Sequence, residues 1–174
     1  MRELLQSHTN PYGEILSLVV MLGVFGIAML SMRRGWNKRR AAALIRFGNV
    51  ALTDAPTREP DGTALCTGTT TAGSRAERVA LPELFGRWGC QYWVTPQGMF
   101  LRRQPPTANG GDTLHLVDAN GAGVTGAHAG RAVGAGRIAV VRWTLGGEDV
   151  DTGLQFRSAE EADAFVERLN GARK

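Results

Sequence analysis

Hydrophobic and polar positions follow two different rules along this chain. From Ile15 to Met32 (ILSLVVMLGVFGIAMLSM) there is no charged residue, and only Ser17 and Ser31 carry polar side chains. As a helix this run is about 27 Å long, close to the hydrocarbon thickness of a bilayer. It lacks the polar face that a surface helix of a soluble domain presents. Beyond about residue 63 the pattern changes to short runs of alternating apolar and polar residues between glycine, proline and aspartate. That is the signature of antiparallel strands.

The alternating part predicts a series of elements. Thr63 to Ala72 (TALCTGTTTA) reads as a first strand. Glu77 to Phe85 contains Pro82 and reads as a short helix or an irregular crossing. Cys90 to Thr95 and Met99 to Arg103 flank Pro96-Gln97-Gly98, a turn sequence, and form a hairpin. Thr113 to Val117 alternates as a strand, and Gly123 to His128 is a weaker one. Arg137 to Leu145 and Val150 to Phe156 flank Gly146-Gly147-Glu148-Asp149 and form a second hairpin. The C-terminal segment is a helix. Ser158 is its N-cap, Glu161 completes a capping box, and Ala162, Phe165, Val166 and Leu169 make its buried stripe. The predicted class is α+β: a transmembrane helix, then a small antiparallel β-barrel or sandwich with a C-terminal capping helix. The expected divisions are a short outer segment at 1–13, the span at 14–32, a basic juxtamembrane segment and linker at 33–62, and one domain at 63–174.

Charge locates the chain more than it describes its chemistry. The net charge is +4, but its distribution is uneven. Up to Arg46 there are seven Arg or Lys and two Glu, while the rest carries 13 basic and 14 acidic side chains. The excess therefore flanks the span, which argues against a nucleic-acid-binding body. Arg33, Arg34, Lys38, Arg39 and Arg40 follow the apolar run, with Trp36 among them. Basic residues mark the cytoplasmic end of a span, and an indole favours the headgroup level. The expected topology is an N-terminus outside, one pass, a C-terminal domain in the cytoplasm, and contact with the anionic inner leaflet. A cleaved signal peptide would carry its positive charge before the apolar run and a small-x-small site after it. Here Arg2 is offset by Glu3 and Glu14, and the run ends AMLSM.

The span followed by RRGW, the segment TPQGMFLRR and the segment VVRWTLGGEDVDTGLQF resemble actinobacterial single-pass membrane proteins that carry one pleckstrin-homology-like (PH-like) domain. The resemblance runs from the span to Phe156. It implies the architecture, and it brings no catalytic residues with it.

Motifs that could carry chemistry are few. Gly121 to Gly126 (GAGVTG) matches a dinucleotide fingerprint in letters, but no helix is predicted after it, so turn and bulge glycines are the plainer reading. His115 and His128 could pair with Asp112 or Asp118, and Glu148, Asp149 and Asp151 could hold a cation. On strands and hairpin turns such residues are ordinarily structural or solvated. Cys66 and Cys90 are expected to be free thiols. Arg102 and Arg103, at the end of an apolar strand, are the candidates for contact with a headgroup or other anionic ligand. No catalytic, cofactor or metal residues are predicted. The expected function is a non-enzymatic binding or scaffold module that docks a protein partner at the inner membrane. The alternative is an accessory subunit of a transport or export complex.

Overall fold

Helix α1 runs from Pro11–Phe47 and opens the computed structural model, which describes residues 11–74, 76–105, 113–134 and 136–172. Segment 1–10, which holds most of the expected outer N-terminus, lies outside the described residues. The chain divides into two units, Met1–Arg39 and Arg40–Lys174. In the first, the side chains of Ile15, Leu16, Val19, Phe25 and Leu30 are exposed. Among the described residues α1 is the one helix long and apolar enough to cross a membrane.

The second unit is a strongly bent antiparallel sheet with a helix at its C-terminal end. The strands are β1 (Leu52–Thr53), β2 (Gly62–Thr71), β3 (Trp88–Thr95), β4 (Gly98–Gln104), β5 (Thr113–Val117), β6 (Gly121–Thr125), β7 (Ala127–His128), β8 (Arg131–Ala132), β9 (Ile138–Leu145) and β10 (Glu148–Gln155). Helix α2 spans Ala159–Gly171. Eight strands form one sheet in the order β1-β5-β4-β3-β2-β10-β9-β6, and β7 and β8 form a separate small hairpin. The two ends of the large sheet, β1 and β6, do not pair, so it is sandwich-like and not a closed barrel.

Alternation explains the core. Cys90, Tyr92 and Val94 of β3, Met99 and Leu101 of β4, Leu114 and Leu116 of β5, and Val141 and Trp143 of β9 lie on the inner face and are buried. The bend brings β5 against β9, so these faces cover one another. Helix α2 closes one side. Its buried residues are Ala162, Phe165 and Leu169, and Phe165 meets Tyr92 edge-on at 5.1 Å between ring centroids. Ser158 caps the helix by accepting from Glu161 N at 3.2 Å. Glu161 reaches back to Arg157 N, one residue before the cap, in a variant of the expected box.

Three features depart from the sequence reading. The segment read as linker is part of the domain unit. Within it β1 pairs with β5, and Arg58 donates both terminal nitrogens to Asp61 at 2.8 Å. Asp61 also accepts from Val94 N at 2.7 Å, and Trp93 Nε1 donates to Arg58 O. Proline and aspartate there mark a strap tied down by side chains, which composition alone does not distinguish from a free linker. Second, the end of α1 packs on the β9–β10 turn. Phe47 is buried, and Arg46 Nε donates to Glu148 at 2.8 Å. Third, the hairpin β7–β8 was not anticipated, because its strands have only two residues each.

A fragment covering Arg40–Lys174 is expected to fold independently and give dispersed amide resonances. A fragment starting at Ala55 loses Ala43, Phe47 and β1 and should unfold at lower denaturant. In the longer fragment, Trp143→Ala and Phe165→Ala should each lower the unfolding free energy by about 3–5 kcal/mol in urea titrations. A loss below about 1 kcal/mol would contradict their placement in the core.

Candidate binding groove

The sequence-predicted positions do not converge on one site. Arg33, Arg34, Lys38, Arg39 and Arg40 are exposed along α1, with Trp36 half-buried among them. Arg102 and Arg103 are adjacent on β4 and therefore face opposite sides of the sheet. Arg102 is exposed, while the Arg103 guanidinium lies over the Trp88 ring at 5.0 Å. They do not form a joint basic pocket.

The other candidates separate in the same way. The His115 ring stacks on Phe100 at 4.1 Å, and Asp118 sits in a turn. Asp112 lies outside the described residues. The acidic run is divided: Glu148 binds Arg46, and Asp151 binds Arg142. Among the described residues no group of three or more His, Cys, Asp or Glu is placed to hold a metal. Cys66 and Cys90 are free and buried, and burial pushes the Cys66 thiol up to about 12. Gly121–Thr125, the fingerprint-like stretch, is strand β6 and not a turn opening a helix.

A concavity lies on the outer face of β6, β9 and β10. It is a groove of about 540 Å³. Gly121 and Gly123 of β6 and Val140 of β9 floor it, and the turn at Gly73 and Ser74 and the side chain of His128 wall it. At its centre is an ion pair across the β9–β10 ladder. Arg142 Nε donates to Asp151 Oδ1 at 2.9 Å and Nη2 to Oδ2 at 3.0 Å. Gly73 N adds a third donor to Asp151 at 3.2 Å. Burial opposes the Asp151 charge, but the Arg142 and Gly73 hydrogen bonds outweigh it and hold the carboxyl below its ordinary pKa. Counting outward from the turn at Gly146-Gly147 places residues 142 and 151 opposite each other, so this pair was legible once the turn length was known.

His128 is 3% exposed, and its Nε2 has no hydrogen-bond partner among the described residues. It packs over Gly153, where a Cβ would come within 2.4 Å of the ring, so only glycine admits the histidine here. Burial lowers the imidazole pKa, against the raising effects of the Gly68 backbone and Asp151 and in concert with the Arg78 charge. The neutral ring is the form the fold accepts.

The rim of the groove is β6, the last strand of the sheet, on which α2 packs. β6 bonds β9 on one side, and on the other the Asn170 side chain of α2 engages Ala122. Asn170 Oδ1 accepts from Ala122 N at 3.1 Å, and Nδ2 donates to Ala122 O at 3.3 Å.

The sequence model of the family described as Bacterial PH domain-like matches residues 50–170. Comparison with curated proteins and with solved structures gives no match.

A lowered histidine pKa means that the unfolded chain takes up a proton first as pH falls. Stability is therefore retained above the ordinary histidine pKa of about 6.5 and declines below it. The denaturation midpoint should fall between pH 7 and pH 5, and His128→Gln should flatten that part of the profile. An unchanged slope in the variant would assign the pH dependence to other groups.

Proposed function

This chain belongs to the bacterial PH domain-like family, and on that premise we propose that it is a membrane-anchored, non-enzymatic module that docks a protein partner at the inner face of the cell membrane. The observation that carries the reading is the union, in one chain, of an exposed apolar helix of spanning length with a folded PH-like domain. Alternating sheets of this kind recognise extended or grooved protein ligands through edges and clefts. The groove with its buried histidine and its fixed ion pair offers such a surface. Richness in alanine, glycine, threonine and arginine fits a high-GC bacterial genome, and the resemblance supports an actinobacterial source.

The orientation follows from charge. Arg33, Arg34, Lys38, Arg39 and Arg40 hold their end of the span in the cytoplasm, and each gains about 1 kcal/mol near anionic lipid. That places the domain in the cytoplasm and the N-terminus outside. The part of the chain after Arg46 has a slight acidic excess, which supports protein over nucleic acid as the partner.

Two measurements test this. A reporter fused after Lys174 should be active in the cytoplasm, and neutralising the five basic residues should randomise that orientation. Activity only on the outer side would overturn the topology. Affinity capture from gently solubilised membranes should recover a stoichiometric protein partner. A chain that is recovered alone, and that turns over a substrate when purified, would overturn the module reading.

A further inference from the structure

Apart from the groove, a second cavity of about 240 Å³ opens between α2 and the start of β2. Tyr92 of β3 lines it, and the Tyr92 ring meets Phe156 and Phe165 edge-on at 5.9 and 5.1 Å between centroids. Tyr92 is 9% exposed, yet its hydroxyl makes no hydrogen bond among the described residues. A buried phenol ordinarily finds a partner inside the protein. The chain makes room for this one. Gly62 stands opposite Tyr92 in the β2–β3 register, and a Cβ there would lie 2.6 Å from the hydroxyl oxygen. A phenylalanine would fill the same core space, so packing alone does not account for the hydroxyl.

Two guanidinium groups line the same cavity. Arg157, just before the N-cap of α2, is exposed, and its side chain makes no bond among the described residues. Arg168 lies 3.5 Å from Asp61, which Arg58 already holds through two nitrogens. Glu161, on the same helix face, spends one oxygen on Arg157 N. Arg58, Arg157 and Arg168 thus stand against Asp61 and Glu161, which leaves one positive charge in excess. Burial raises the Tyr92 pKa; Arg168 opposes the rise, and Asp61 and Glu161 add to it. At neutral pH the hydroxyl keeps its proton and is a donor.

This set of groups fits a monoanionic head on a short apolar body. The head meets a phenol donor and an uncommitted guanidinium, and the body meets Phe156, Phe165 and Ala164. A phosphate dianion would set its second charge against Glu161 and Asp61. The volume falls below the range of about 300–1,000 Å³ usual for drug-sized ligands, so the body is limited to a single ring or a short chain. We propose that the cavity between α2 and β2 binds a small organic carboxylate, whose oxygens accept from the Tyr92 hydroxyl and the Arg157 guanidinium. This site is separate from the groove and does not rest on the docking reading.

The test titrates the full chain in detergent with benzoate, read by calorimetry against detergent alone and by the amide resonances of isotope-labelled protein. Benzoate should bind saturably and shift resonances between Phe156 and Arg168. Benzamide, which has the same shape without the charge, and inorganic phosphate should each bind at least about tenfold more weakly. Tyr92→Phe should weaken benzoate binding by roughly tenfold at an unchanged melting temperature, because the hydroxyl holds nothing else in place. Arg157→Gln should weaken it to a similar degree, and Arg102→Gln, exposed on β4, should leave it unchanged. Absence of saturable binding, equal binding by Tyr92→Phe, or shifts confined to the groove around Arg142 would overturn the proposal. So would phosphate binding as tightly as benzoate. Each of these failures leaves the docking reading standing, since capture of a protein partner tests that reading separately.

Discussion

The two-residue turn at Gly146-Gly147 is the constraint on which most of the domain depends. Both glycines have positive φ, +60° and +85°, the mirror-image turn whose twist matches a right-handed hairpin. It sets β9 against β10 without ambiguity: Trp143 opposite Val150, Arg142 opposite Asp151. A slip of one residue would send Trp143 to the outside and Arg142 into the core. Because β10 sits between β9 and β2, the register passes on to the centre of the sheet. The turn also receives the end of α1. A Cβ on Gly146 would sit 2.4 Å from Phe47 O, so the approach of Phe47 requires glycine there.

Correct register lets polar groups be buried on both faces. Inside, Trp143 Nε1 donates to Thr152 Oγ1, which pairs with Thr69 Oγ1 at 2.8 Å. Such a chain satisfies buried polar atoms that would otherwise cost stability. Outside, the same ladder fixes the guanidinium of Arg142 on Asp151, and both residues line the groove. The groove is therefore a product of the hairpin and of missing side chains on β6. Its edge is covered by α2, whose Asn170 amide bonds both backbone groups of Ala122.

Long periodic elements were legible in the sequence: the apolar helix, the two hairpins, the capped helix α2 and the facing of Phe165. These follow from alternation, turn chemistry and helical spacing. The features that escaped depend on tertiary geometry. β1 is two residues of an apparent linker, held because β5 lies beside it. The strap at Arg58 and Asp61 needs the backbone of Val94 as its third partner. Arg102 and Arg103 looked like a pair in sequence, yet strand geometry turns them apart and Trp88 claims one of them. The groove escaped because its floor is glycine and its chemistry is an ion pair between strands, with Asn170 contributed from a helix 48 residues away from Ala122.

Under the proposed function the domain, and not the helix, recognises the partner. The direct measurement is affinity capture with a chimera that keeps residues 1–39 and replaces the remainder with an unrelated folded domain, beside the native chain. The stoichiometric partner should be recovered with the native chain and lost from the chimera while membrane insertion is unchanged. Recovery of the same partner by the chimera would contradict it and assign recognition to the span.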